Sequence, residues 1–246
     1  MACPRATRDR SGVFVHYFTA ECHRVTTLSA ASAALIRCFS VPRFDGYLDA
    51  VAGYQEAAVG LYLWNTGATG AMWETVGHLE VALRNALADR LTERHARAGR
   101  MGSWLDDPAR ELAEKARTDI AKARNRVAAK NKSASDGQTI SELPFGFWRF
   151  FFARRYNTTL WPDLAGAFPH APSRDRRTIE QPVERLHHFR NRLAHHERIW
   201  TEPLHARYAD VLAVLSYIDP DVSAWVDQTS RVPALLTTCP VVRPFQ

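Results

Sequence analysis

The stretch HLEVALRNALADRL, His78–Leu91, decides the fold. At about 100° per residue, Leu79, Leu83, Ala86 and Leu87 fall along one side and the charged residues along the other. This is the pattern of an amphipathic helix with a core-facing stripe, and Glu80 and Arg84, four apart, are placed to pair on its surface. Apolar residues keep helical spacing from Phe44 onward, with no sustained alternation of β-branched residues. The expected fold class is all-α.

Working outward, a helix from about Phe44 to Trp64 is expected to stop at NTGATG, residues 65–70, and a second to run from about Ala71 to His95. A third, from Ala109 to about Lys130, has a thin apolar face of Leu112, Ala116, Ile120 and Val127. Its cations, among them Lys115, Arg117, Lys122, Arg124 and Arg126, outnumber Glu111, Glu114 and Asp119, so it reads as part of an additional basic helical hairpin. That excess is either a solvated face or a phosphate-binding groove. NKSASDGQT, residues 131–139, reads as a flexible loop. The aromatic-rich ELPFGFWRFFF should contain a short buried helix starting near Pro144 or Phe145. A basic, Pro-punctuated loop with Arg174, Arg176 and Arg177 then leads to a helix from about Thr178 to Arg198, and a last helix spans about Pro203 to Tyr217 before an interruption at DPDV.

Composition sets the frame around these elements. The 246 residues are 46% hydrophobic and 24% charged, enough for one sizeable core. Thirty-two Lys and Arg against 26 Asp and Glu give a net charge of +6, and with a sequence pI near 9.4 the surface is biased toward polyanions. Cys3, Cys22, Cys38 and Cys239 are scattered without C-x-x-C spacing, which suits a reducing cytoplasm and argues against a disulfide framework. The longest uncharged stretch, Ala57 to Trp73, falls short of the roughly 20 apolar residues a spanning helix needs, so no membrane partner is expected. The organisation expected is a poorly ordered leader over 1–41, a helical domain over 42–219, and a helix fragment with a Pro-rich tail over 220–246.

Chemistry concentrates in FRNRLAHHERIW, Phe189–Trp200. On a helix, Val183, Leu186, Phe189, Leu193 and Ala194 bury, while Glu184, His188, Asn191 and His195 align within about 40° on the opposite face. Arg190 lies between, with a side chain long enough to share a ligand with Asn191 and His195. His196 falls about 120° from Arg190 and shares that face less well. Three readings of the stripe stand side by side. It is a solvated surface; or Glu184, His188 and His195 ligate a metal, although neither H-E-x-x-H nor E-x-x-H is present. In the third, Arg190, Asn191 and His195 act on a phosphodiester: imidazole moves protons near neutrality and a planar guanidinium meets the charge on phosphate oxygens. Without a metal, the nucleophile is the RNA's own 2′-hydroxyl, and the products are a 2′,3′-cyclic phosphate and a 5′-hydroxyl.

RNRLAHHERIW resembles the C-terminal signature of the bacterial Abi-like (abortive infection) proteins of the HEPN superfamily, whose helical domains often cut RNA. GYLDAVAGYQEAAVGLYLWNTGATGAMWETVGHLEVALRNAL is similar to that family's N-terminal block, and ELPFGFWRFFF to its middle aromatic block, so the resemblance covers roughly Phe44 to Tyr217. It implies a HEPN-like bundle that homodimerises and sets two R-x-x-x-x-H motifs across a cleft, forming a metal-independent and cofactor-free endoribonuclease. Arg190 and His195 match the motif ends and Asn191 the polar residue after the arginine; His188 and His196 stand as alternates. Glu80, Arg84 and Asn85 match the EVALRN run, either orienting the site or tying helices together. RNA would be drawn by Lys122, Arg124, Arg126, Arg174, Arg176 and Arg177, and the implied partners are RNA, a second copy, and an antitoxin or phage-derived trigger. A non-catalytic RNA-binding or protein-interaction module of the same fold remains the alternative.

Overall fold

The glycines of NTGATG do not end a helix. The structure, a computed structural model, describes residues 14–15, 25–130 and 135–242, and within them Gln55–Arg97 is one continuous helix of 43 residues. In chain order the described α-helices are α1 (Val25–Phe39), α2 (Val41–Ala50), α3 (Gln55–Arg97), α4 (Glu114–Ala129), α5 (Asp136–Ser141), α6 (Phe145–Arg149), α7 (Trp161–Leu164), α8 (Arg176–Ala194), α9 (Leu204–Ile218), α10 (Pro220–Thr229) and α11 (Val232–Leu236). Beyond helices and short 3₁₀ turns, the described residues hold one two-residue antiparallel pairing, Phe14 with Val242 and Val15 with Val241. The class is all-α, as the periodicity predicts.

Local chemistry explains where the boundaries differ from the sequence expectation. Gly67 and Gly70 each cost α3 about 1 kcal/mol relative to alanine. The helix nevertheless continues, because Asn65, Ala68, Ala71 and Met72 are all buried along it. Thr66 and Thr69 turn their hydroxyls onto the carbonyls of Tyr62 and Asn65, at 3.0 and 2.7 Å, a bonding mode compatible with the helical ladder. The third expected helix starts at Glu114 rather than Ala109. Asp107 explains this: in the left-handed region at φ 44°, it accepts the backbone N–H groups of Glu111 at 2.7 Å and Leu112 at 3.1 Å, fixing a turn there.

Of the expected loop 131–139, residues 131–134 lie outside the described residues, while Asp136–Ser141 form α5 with Ser135 as N-cap. The expected break at DPDV is a helix start. Asp219 accepts from the N–H groups of Asp221 and Val222 at 2.8 and 3.2 Å, and Pro220 occupies the first turn where its missing N–H costs nothing. Part of the expected leader is structured as well: Val25–Phe39 are α1, and Ile36 enters the core. Apart from Phe14 and Val15, residues 1–24 lie outside the described residues.

Contacts group the chain into two compact units. The first comprises Met1–Met72, His195–His205 and Arg231–Gln246, the second Trp73–Ala194 and Ala206–Ser230. In the first unit Phe44, Tyr47, Val51, Leu61 and Trp200 form a common core. Tyr62 packs on both Phe44 and Tyr47, with ring centroids 5.0 and 5.5 Å apart. Burial pushes the Tyr47 phenol up to about 12, against the pull of Arg43 and Arg198.

In the second unit Leu79, Leu83 and Leu87 are fully buried, as the opening stretch predicts. The aromatic block adds to that core: Phe147 meets Trp148 and Phe151 edge-on, at 5.0 and 5.3 Å, the orientation that ring quadrupoles favour. Ala116, Ile120, Ala123 and Val127 give α4 its buried stripe. A cluster of charges ties this unit further: Arg94 donates to Glu111 and forms an ion pair with Asp163, and Arg100 also donates to Glu111. Among the described residues no helix is long and apolar enough to cross a membrane.

Candidate functional site

The helix that carries the motif ends sooner than the sequence suggests. Asp175 accepts from the N–H of Arg177 at 3.0 Å and so caps α8 at its start. Ala194 is the last helical residue, and His196 follows at φ 52°, the left-handed conformation that commonly closes a helix one residue past its cap. Helical arithmetic therefore holds through Ala194 and not for His196, whose expected angular position is overturned. Within α8, Val183, Leu186, Phe189 and Leu193 are buried, Glu184 and His188 exposed, and Arg190 and Asn191 half-buried.

In the second unit, Arg190 is held on two sides. Its Nε donates to Glu80 Oε1 at 2.8 Å, with both side chains 28% exposed. Its guanidinium also lies over the ring of Trp73, 4.9 Å from the centroid, a cation–π contact. Because Glu80 engages the inner nitrogen, the two terminal nitrogens are left as the donors for a ligand. The surface pair expected between Glu80 and Arg84 is not what forms: Glu80 takes Arg190, and Arg84 Nε donates to Asn85 Oδ1 at 3.3 Å. A within-helix pair is worth only a few tenths of a kcal/mol, so a better-placed partner from another helix wins.

His195 and His196 belong to the first unit and are exposed. Their turn is pinned from two directions. Arg43 Nη2 donates to the carbonyl of His196 at 2.5 Å. Asn65, only 4% exposed, accepts the backbone N–H groups of Ile199 and Trp200 through one oxygen, at 2.9 and 3.1 Å, and donates to the carbonyl of Glu197 at 3.4 Å. Sequence reasoning missed both, because Arg43 falls just before the expected helix start at Phe44 and Asn65 inside an apparent breaker. The signal that could have found Asn65 is a polar amide flanked at helical spacing by Leu61 and Ala68.

The remaining candidates divide. Arg124 pairs with Asp106 at 2.6 Å and Arg126 with Glu142 at 3.2 Å, so these two cations are already engaged; Lys122 is exposed. Arg176 is buried, bonded to the carbonyl of Phe152 and to Glu180, which removes it as an RNA contact; Arg174 and Arg177 are exposed. Glu184, a ligand in the metal reading, is engaged by Arg149, and among the described residues no three His, Cys, Asp or Glu side chains gather as a metal site needs. His187, absent from the sequence candidates, stacks on Phe145 at 6.0 Å, and burial, then Arg149, lower its pKa.

No protein-family model, curated protein or solved structure matches the chain. The resemblance to Abi-like proteins thus rests on the three quoted blocks alone.

Proposed function

We propose that the chain is a metal-independent endoribonuclease of the HEPN, Abi-like type, acting in phage defence as a homodimer. Arg190 meets the charge on the non-bridging phosphate oxygens, His195 moves the proton, and Asn191 orients them. The 2′-oxygen forms a bond to phosphorus as the P–O5′ bond breaks; the 2′-hydroxyl proton is taken up and the 5′-oxygen leaves as a hydroxyl. The observation that carries this reading is the setting of Arg190. Its orientation is fixed through Nε by Glu80 and by the Trp73 face, while among the described residues nothing bonds its fork ends, the donors that would meet a phosphate.

One observation favours the protein-interaction form of the non-catalytic alternative: several cations expected to draw RNA are paired with carboxylates or buried. The two readings separate in one experiment. Purified protein in chelator is given end-labelled RNA and the matching DNA, and product ends are read by mass spectrometry. The nuclease gives 2′,3′-cyclic phosphate ends on RNA alone, and Arg190→Ala and His195→Ala each lower the rate by about 100-fold or more with fold and dimer retained. RNA left intact, or cut by both variants as fast as by the parent, excludes the nuclease.

A further inference from the structure

A cleft of about 430 Å³ lies entirely within the first unit, lined by Phe39, Arg43, Tyr62, Thr66, Thr69 and His196 among others. We infer that this cleft binds a nucleoside monophosphate, either free or as one unit of an RNA chain. Its volume lies in the range of pockets that enclose small organic ligands. Among the described residues its lining carries a guanidinium and an imidazole and no carboxylate, a charge balance matched to an anion.

Each part of such a ligand has a counterpart. Phe39 and Tyr62 stack with centroids 5.8 Å apart and an interplanar angle of 29°, and Phe39 is 44% exposed, leaving an open aromatic face for a base. Arg43 is pinned by its bond to the His196 carbonyl through Nη2 alone, which leaves other nitrogens of a pre-oriented planar fork for phosphate. Thr66 and Thr69 spend their hydroxyl protons on backbone carbonyls, so their oxygens face a ligand as acceptors, the role that suits ribose hydroxyls. His196 keeps a left-handed backbone, uncommon for a residue with a β-carbon, at the rim of this cleft. Asn65 contributes a wall and no ligand bond, since its side chain is committed to the 197–200 turn.

Cys38, an exposed free thiol in the same lining, reports occupancy. In the full chain, alkylation of Cys38 by iodoacetamide, read on its own peptide by mass spectrometry, should slow in millimolar AMP or in an oligoadenylate and remain unchanged in inorganic phosphate or adenosine. Phe39→Ala and Arg43→Lys should each raise the protecting concentration by about tenfold, the scale of one lost stacking or bidentate contact. Protection by AMP alone assigns a free nucleotide; stronger protection by the oligoadenylate assigns RNA. Alkylation indifferent to both, equal protection by phosphate, or protection that survives both substitutions overturns the inference. Cleavage is a separate readout, so a chain that cuts RNA without protecting Cys38 loses the cleft and keeps the nuclease, and the reverse result does the opposite.

Discussion

The side-chain oxygen of Asn65 accepts the backbone N–H of Trp200 at 3.1 Å across 135 positions of sequence, and the N–H of Ile199 at 2.9 Å. Both donors are buried and have left water to make these bonds. Asn65→Ala and Asn65→Leu therefore strand two backbone donors, and each is expected to lose about 2–4 kcal/mol of stability. Urea unfolding followed by tryptophan fluorescence measures this. Leucine restores volume but no acceptor, so a leucine variant as stable as the parent would show that packing, not the amide, holds the turn.

Glu80 and Arg190 are half-exposed, so their ion pair contributes little to stability, on the order of 1 kcal/mol or less. Its consequence lies in aiming the guanidinium. Glu80→Gln keeps an acceptor and should leave thermal unfolding nearly unchanged while slowing RNA cleavage by about tenfold through kcat. Arg190→Lys retains the charge without the fork and should cut less well still. Unchanged cleavage in both variants would reduce the pair to a tie between helices.

Glu111 accepts from Arg94 and Arg100, and these bonds hold its carboxyl at about 2, below the ordinary 4.5. A folded-state value below the unfolded one means that folding favours the ionised form. The stabilisation is complete above about pH 4.5 and is lost as pH falls toward about 2. At about 1.4 kcal/mol per unit it amounts to on the order of 3 kcal/mol at most. Glu111→Gln should therefore cost stability at pH 7 and almost none near pH 2, so denaturant midpoints of the two proteins should converge across that window. A constant difference over the same range would assign the effect to packing.

The helical class was legible because burial follows a period that the sequence displays: Leu79, Leu83 and Leu87 repeat at one turn, and all are buried. Helix ends were less legible, since they depend on single side chains satisfying backbone groups, as Asp107 and Asp219 do. The site was partly legible. Arg190 and Glu80 could each be named, from the motif and from the EVALRN run, but their pairing spans 110 positions, and a tertiary contact of that span has no local signature. For the same reason Arg176, read as a surface cation, was found bonded within the core.

NTGATG was misread because glycine was weighed by propensity alone, and the same residues give a test of sign. Gly70 sits in the helical interior of α3 with negative φ, and a β-carbon built on it meets nothing within 4 Å. Gly70→Ala should then stabilise the protein by about 0.5–1 kcal/mol, chiefly by narrowing the unfolded ensemble. Gly53 also has open space around its β-position, but its φ is +83°. There the added carbon meets backbone strain in the left-handed region, and Gly53→Ala should destabilise by about 1 kcal/mol. Calorimetric Tm values of the two single variants, compared with the parent, should move in opposite directions by about 2–4 °C. Identical shifts would mean that the local backbone conformation assigned to one of these glycines is wrong, and a lower Tm for Gly70→Ala would return the chain to the two-helix arrangement that the sequence alone suggests.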